Sequence, residues 1–209
     1  MPLARAFVVV LAAAVSCAGG YAQSPPAAPD AAPARAAKPI ALVNAGFESK
    51  APGQLGAPEG WWVVQHAGPL SYTFKLDTTK PHSGSQSVRV ENVGPEPFGT
   101  IFQKFDASPH RGKTVRFAAW VRTEDTKGNR FGAGAGLNLH AMRGGYTIAH
   151  RMMRKDAVRG TTDWTRYEIT LNVPNEAEHI EAGLNLFGPG VAWLDDAAVE
   201  VMETSAEKP

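Results

Sequence analysis

Thr114–Arg122 alternates apolar and polar residues without a break: Val115, Phe117, Ala119 and Val121 on one side, Arg116, Trp120 and Arg122 on the other. A period of two is the period of a β-strand, and a segment that keeps it buries one face and leaves the other wetter. The same pattern returns along the chain. Leu70, Tyr72, Phe74 and Leu76 keep step; so do Leu137, Leu139 and Ala141 against Asn138, His140 and Met142; so do Tyr167, Ile169, Leu171 and Val173, and then Ile180, Ala182, Leu184 and Leu186. Between these runs stand turn signals such as Ala67-Gly68-Pro69, Gly144-Gly145 and Pro174-Asn175, within a chain carrying 21 Gly and 16 Pro. No helical period of comparable length occurs. About ten short strands with tight turns predict an all-β domain, an antiparallel two-sheet β-sandwich, with a closed barrel as the alternative.

Two segments bracket that domain. Gly188–Val201 (GPGVAWLDDAAVEV) reads as a closing strand after a Gly-Pro-Gly turn, and Ile40–Glu48 (IALVNAGFE) reads as its mate from the start of the domain. The ordered domain is expected over 40–202, with a polar tail at 203–209.

The first 22 residues read as a secretory signal: Arg5 supplies the positive end, Ala6–Val15 the apolar run, and Gly20 and Ala22 the small residues that precede cleavage. The apolar run is shorter than the roughly 20 residues a spanning helix needs, so no transmembrane helix is expected in the mature chain. Residues 23–39, rich in Pro and Ala, read as a disordered linker. The localisation this implies is export, to the periplasm or beyond. The alternative is a membrane-anchored lipoprotein, because Ala14-Val15-Ser16-Cys17 is similar to a lipobox and would make Cys17 the lipidated residue. Cys17 is the only cysteine, so the domain contains no disulfide. Cleavage after Ala22 removes one cation, Arg5, from 21 and leaves 20 cations against 20 acids. A neutral chain has no electrostatic reason to seek nucleic acid.

Five short motifs occur in order: Asn44–Glu48 (NAGFE), Pro58–Trp61 (PEGW), His82–Ser87 (HSGSQS), Gly160–Trp164 (GTTDW) and Trp193–Asp196 (WLDD). Together they resemble carbohydrate-binding modules of the galactose-binding-like jelly-roll superfamily, over roughly Ile40–Met202. The resemblance implies a jelly roll, a non-catalytic binding role and, as in many members, a structural calcium ion. Its carboxylate ligands here would be Glu48 and Asp195, joined by backbone oxygens of the Pro81–Gly84 loop; calcium takes six to eight hard oxygens.

The chain offers little for catalysis. Phe131–Gly136 (FGAGAG) has the wrong spacing and is followed by a strand pattern rather than a helix, so it is no nucleotide loop. Asp195 and Asp196 are adjacent on a strand and are expected on opposite faces, unable to flank one bond. Counting back from a two-residue turn at Gly144-Gly145 sets His140 opposite Ala149, which separates His140 from His150. Sugars are held by aromatic platforms and planar polar groups. The wetter faces supply Trp120, Arg122, Asn138, His140 and Asn185, which form one ligand surface if their strands are neighbours. The function expected is thus an exported, non-catalytic module binding a glycan through a sheet face. The alternative is a structural or protein-interaction domain of the cell envelope, its partner an envelope protein.

Overall fold

The computed structural model describes residues 37–51, 53 and 57–202. The proposed leader, Cys17, most of the linker and the polar tail lie outside the described residues. Within them the chain forms eleven strands: β1 (Ala37–Ile40), β2 (Trp62–Gln65), β3 (Tyr72–Asp77), β4 (Ser87–Asn92), β5 (Phe98–Asp106), β6 (Thr114–Thr126), β7 (Ala135–Arg143), β8 (Tyr146–Met152), β9 (Gly160–Asn172), β10 (His179–Phe187) and β11 (Val191–Met202). The only helical element described is one short 3-10 turn, Ser108–His110.

The strands form two sheets. One has six strands, in the order β3-β4-β11-β6-β9 with β1 also against β11; the other has five, in the order β2-β5-β10-β7-β8. Every pairing is antiparallel. The alternation read from the sequence decides which faces meet. Val115, Phe117, Ala119 and Val121 of β6 join Leu137 and Leu139 of β7 and Ile180, Leu184 and Leu186 of β10 in one buried cluster. That cluster is the layer between the sheets, as expected of stacked sheets whose inner side chains interdigitate. Each large aliphatic side chain there contributes about 2–3 kcal/mol by leaving water.

The first and last strands do meet, three residues earlier than the sequence suggests. Ala37–Ile40 pairs with Val199–Met202, while Val191–Leu194, the other half of β11, pairs with β4. Between the halves the register against β6 shifts at Asp195/Ala198, and Asp196 adopts a positive φ of 45°. This irregularity lets β1 and β4 share one edge of a single long strand. Of the expected Ile40–Glu48 mate only Ile40 lies in the strand; Ala45, beyond it, accepts a backbone hydrogen bond from Ala197 across the bulge (3.0 Å).

The same bulge corrects the expectation for Asp195 and Asp196. They do not point away from each other. Asp195 Oδ2 accepts the N–H groups of His82 (2.9 Å) and Ser83 (3.2 Å), and Asp196 meets His82 Nδ1 (2.6 Å) and accepts from Ser83 Oγ (2.9 Å). A second bulge corrects the histidines. The turn at Gly144-Gly145 forms as expected, with φ of 56° and 82°, values suited to a two-residue hairpin turn. The register then slips past Ile148, so that Met142 faces Thr147 but Ala141 faces Ala149 and His140 faces His150. One extra residue on β8 brings the imidazoles onto one face, with ring centroids 5.8 Å apart.

Candidate functional site

Trp120 and Arg122 do not share a surface with Asn138, His140 and Asn185. The first two are on β6 of the six-stranded sheet; the others are on β7 and β10 of the five-stranded sheet. Alternation tells inside from outside but not which sheet a strand joins, and the two outer faces look away from each other. On the six-stranded side, Trp120 is half-buried. The His82 ring stacks on it with centroids 3.9 Å apart, and Trp164 meets that imidazole edge-on. Arg122 bonds Asp163 (2.6 Å) and lies over the Trp193 ring, its guanidinium carbon 5.9 Å from the centroid. Lys80 and Arg89 cover the same ring, and Trp193 Nε1 donates to Asp77 (2.8 Å). That face is packed by its own side chains and loops.

The loop doing the covering is held by both acids singled out as metal ligands. Asp195 takes its N–H groups at His82 and Ser83; Glu48 takes those at Ser85 (2.9 Å) and Gln86 (3.3 Å) and the Ser85 hydroxyl. Glu48 sits below the usual carboxylate range because of the Ser85 bonds. Asp195, fully buried, is pushed up by loss of water, against the pull of the His82, Asp196 and Ser83 N–H groups. The sequence thus brings Glu48 and Asp195 onto one loop. What surrounds them is a set of N–H and O–H donors, opposite in polarity to the oxygens calcium requires. No group of three or more His, Cys, Asp or Glu suited to a metal occurs among the described residues. The arrangement fits a hydrogen-bonded staple; an ion between these carboxylates would require the donors to turn away.

The open site lies across the outer face of the five-stranded sheet, a groove of about 450 Å³. Its apolar walls are Phe98 and Phe102 of β5, Phe187 of β10, Met152 of β8, Val64 of β2 and Phe131 from the loop before β7. Its polar lining is Thr100, Asn138, His140, Asn185 and Glu181, with Arg154 at one end. The strand register sets the floor: Asn185 stands opposite Thr100 on one side and Gly136 on the other, and Glu181 opposite His140. Thr100 Oγ1 donates to Asn185 Oδ1 (2.5 Å). Two buried polar atoms of groove-lining residues have no protein partner, Asn138 Nδ2 and His140 Nε2. Buried polar groups are nearly always paired, so two orphans in one groove are an opening for ligand hydroxyls. Burial and the neighbouring His150 hold the His140 pKa below the ordinary histidine value, against the opposing pull of Glu181. Glu181 is held between Lys104 Nζ (3.3 Å) and His179 Nε2 (3.4 Å).

Of the expected ligand residues, Asn138, His140 and Asn185 therefore meet in the groove, while Trp120 and Arg122 are corrected out of it. Thr100, Phe102 and Phe98 went unrecognised because Phe98–Asp106 is apolar on both faces, which hides its period of two. Phe131 and Arg154 come from loops, where no periodicity places them.

A family model described as a carbohydrate binding domain matches residues 41–187. An uncharacterised HTH-type transcriptional regulator of Bacillus subtilis, YbfP, is 28% identical over 149 residues, covering 69% of this chain. The chain spans about half the length of that curated relative, 48% of it. Two solved structures share the fold. The CBM22-1 xylan-binding domain of Paenibacillus barcinonensis Xyn10C has a TM-score of 0.54 and 13% identity, covering 82% of this chain and 99% of that one. The cyclase Fisc of Fischerella sp. TAU has a TM-score of 0.56 and 15% identity, covering 81% of this chain and 100% of that one.

Proposed function

Since this chain belongs to the carbohydrate binding domain family, whose model spans residues 41–187, we propose that the groove over β5, β10 and β7 is where it holds a saccharide, without catalysis. The observation that carries the reading is the pair of unpartnered buried atoms, Asn138 Nδ2 and His140 Nε2, beside aromatic walls from Phe98, Phe102 and Phe187. A pyranose has apolar C–H faces for the rings and hydroxyls for the orphaned amide and imidazole. The groove volume, about 450 Å³, falls within the usual range for small-molecule sites.

Hydrolysis by two carboxylates is not assembled here. Among the described residues lining the groove Glu181 is the one carboxylate, and glycoside hydrolysis in its common forms uses a pair flanking the bond. Export belongs to the same proposal and is supported by the Arg5–Ala22 leader pattern; no helix among the described residues is long and apolar enough to cross a membrane.

The test is affinity electrophoresis through gels holding a panel of polysaccharides, with wild type beside Phe102→Ala. Wild type is expected to be retarded by at least one polymer and Phe102→Ala to lose about tenfold or more in affinity, the scale of an aromatic contact in a binding site. Equal migration of the two proteins in every gel refutes the reading.

A further inference from the structure

We infer that the saccharide held in this groove is anionic, carrying carboxylate or sulfate groups that are met by a cationic shelf at the groove's Arg154 end. The inference rests on the groove being the saccharide site. Next to the groove is a second depression of about 410 Å³, lined by Arg130, Arg154, Lys155 and Arg159 with residues of the 129–133 loop. Phe131 and Arg154 line both hollows, so the two surfaces are continuous. All four cationic residues are exposed, none forms an ion pair among the described residues, and no acid lines the shelf. The nearest carboxylate in sequence, Asp156, is already bonded to Arg151 (2.6 Å). The groove's own carboxylate, Glu181, is paired with Lys104 (3.3 Å). Four uncompensated cations in one place on a chain of formal net charge +1 form a local field, and such a field selects an anion.

The shelf is also pre-shaped. Arg154 Nε donates to the Phe131 carbonyl (2.7 Å), and the Arg154 carbonyl accepts from Ala133 N–H (2.8 Å). Arg130 lies over the Phe131 ring, 4.8 Å from its centroid. Asn129 closes the loop, accepting the Phe131 N–H on its side chain (2.9 Å) and bonding Gly132 through its own N–H (2.8 Å). Gly132 packs so close to the Phe187 ring that any side chain there would collide with it. Arg130 and Arg154 are thereby held against the groove wall, which lowers the ordering cost of binding. A guanidinium meets carboxylate or sulfate oxygens in a planar, two-pronged fashion that a neutral hydroxyl cannot exploit equally.

Matched pairs of polymers isolate the charge: polygalacturonate against its methyl ester, and dextran sulfate against dextran. Polyaspartate serves as a polyanion without sugar. Binding is measured by affinity electrophoresis for wild type, for the R130Q/R154Q/R159Q variant and for Phe102→Ala. Wild type is expected to bind one charged member about tenfold more tightly than its neutral mate, which is what three exposed ionic contacts amount to. The triple variant is expected to lose that preference, and which pair responds identifies carboxylate or sulfate. Equal binding of charged and neutral mates, unchanged in the triple variant, overturns the inference and leaves the groove reading standing. Binding of polyaspartate as strong as that of the sugars, unaffected by Phe102→Ala, also overturns it, since the shelf is then an ion exchanger unconnected to the groove. No binding to any of these polymers overturns the inference, and the wider polysaccharide panel then decides the groove reading.

Discussion

Replacing Asp195 with Ala removes the acceptor for three N–H groups at once: His82 at 2.9 Å, Ser83 at 3.2 Å and Asp196 at 2.8 Å. Each such bond to a charged group is worth about 1.5 kcal/mol at the lower end, or about 4–5 kcal/mol together. Part of this returns. Asp195 is fully buried and disfavoured there as a carboxylate, and Ser83 is exposed and its freed N–H can turn to water. A net loss of about 3 kcal/mol remains, which for a domain of this size lowers Tm by about 6–12 °C. The His82 ring would also lift from Trp120, so tryptophan emission should shift to the red in the native state. Glu48 is exposed, and Glu48→Ala is expected to lower Tm much less. Differential scanning fluorimetry with and without EDTA separates the staple from an ion. The donor pattern predicts that chelator leaves the wild-type melt unchanged. A wild-type Tm that falls on EDTA and recovers on calcium, or an Asp195→Ala melt equal to wild type, would refute the reasoning.

Stability should fall as pH drops from about 6.5, the ordinary histidine value. His140 is held below that value in the fold, as is His110 by burial, so between the unfolded and folded pKa values the unfolded chain takes up protons that the native state refuses. His140→Gln should flatten this loss in a Tm series from pH 7 to pH 5, and an unaltered slope would count against a buried neutral imidazole. Arg122→Ala should cost about 1 kcal/mol through lost contact with Trp193, and so lower Tm by about 2–4 °C. It should leave saccharide affinity untouched, because Arg122 is on the other sheet; a weakened glycan interaction would contradict the assignment of faces.

Fold class was legible because burial alternates where the residues do. Val115 to Val121 and Ile180 to Leu186 point into the core as their spacing requires. The motif set also carried true long-range information, since the loop of His82–Ser87 does lie against both Glu48 and Asp195. Three things were not legible. Sheet membership is set by pairings far apart in the chain, and nothing in Trp120 or Asn138 records which sheet its strand will join. Register was lost at two bulges, at Ile148 and between Asp195 and Ala198, where one residue changes which side chains are neighbours. The groove walls escaped because Phe98–Asp106 has apolar residues on both faces, and because Phe131 and Arg154 reach the site through loop contacts.

The central claim is that ligand meets the outer face of the five-stranded sheet and not the covered tryptophan face. Mapping amide shifts in an isotope-labelled sample, as a saccharide that retards the protein is titrated in, addresses it residue by residue. Saturable shifts are predicted at Thr100, Phe102, Asn138, His140 and Asn185, with His82, Trp120 and Trp164 unmoved. Shifts confined to His82, Trp120 and their neighbours, with the groove residues silent, would contradict the account.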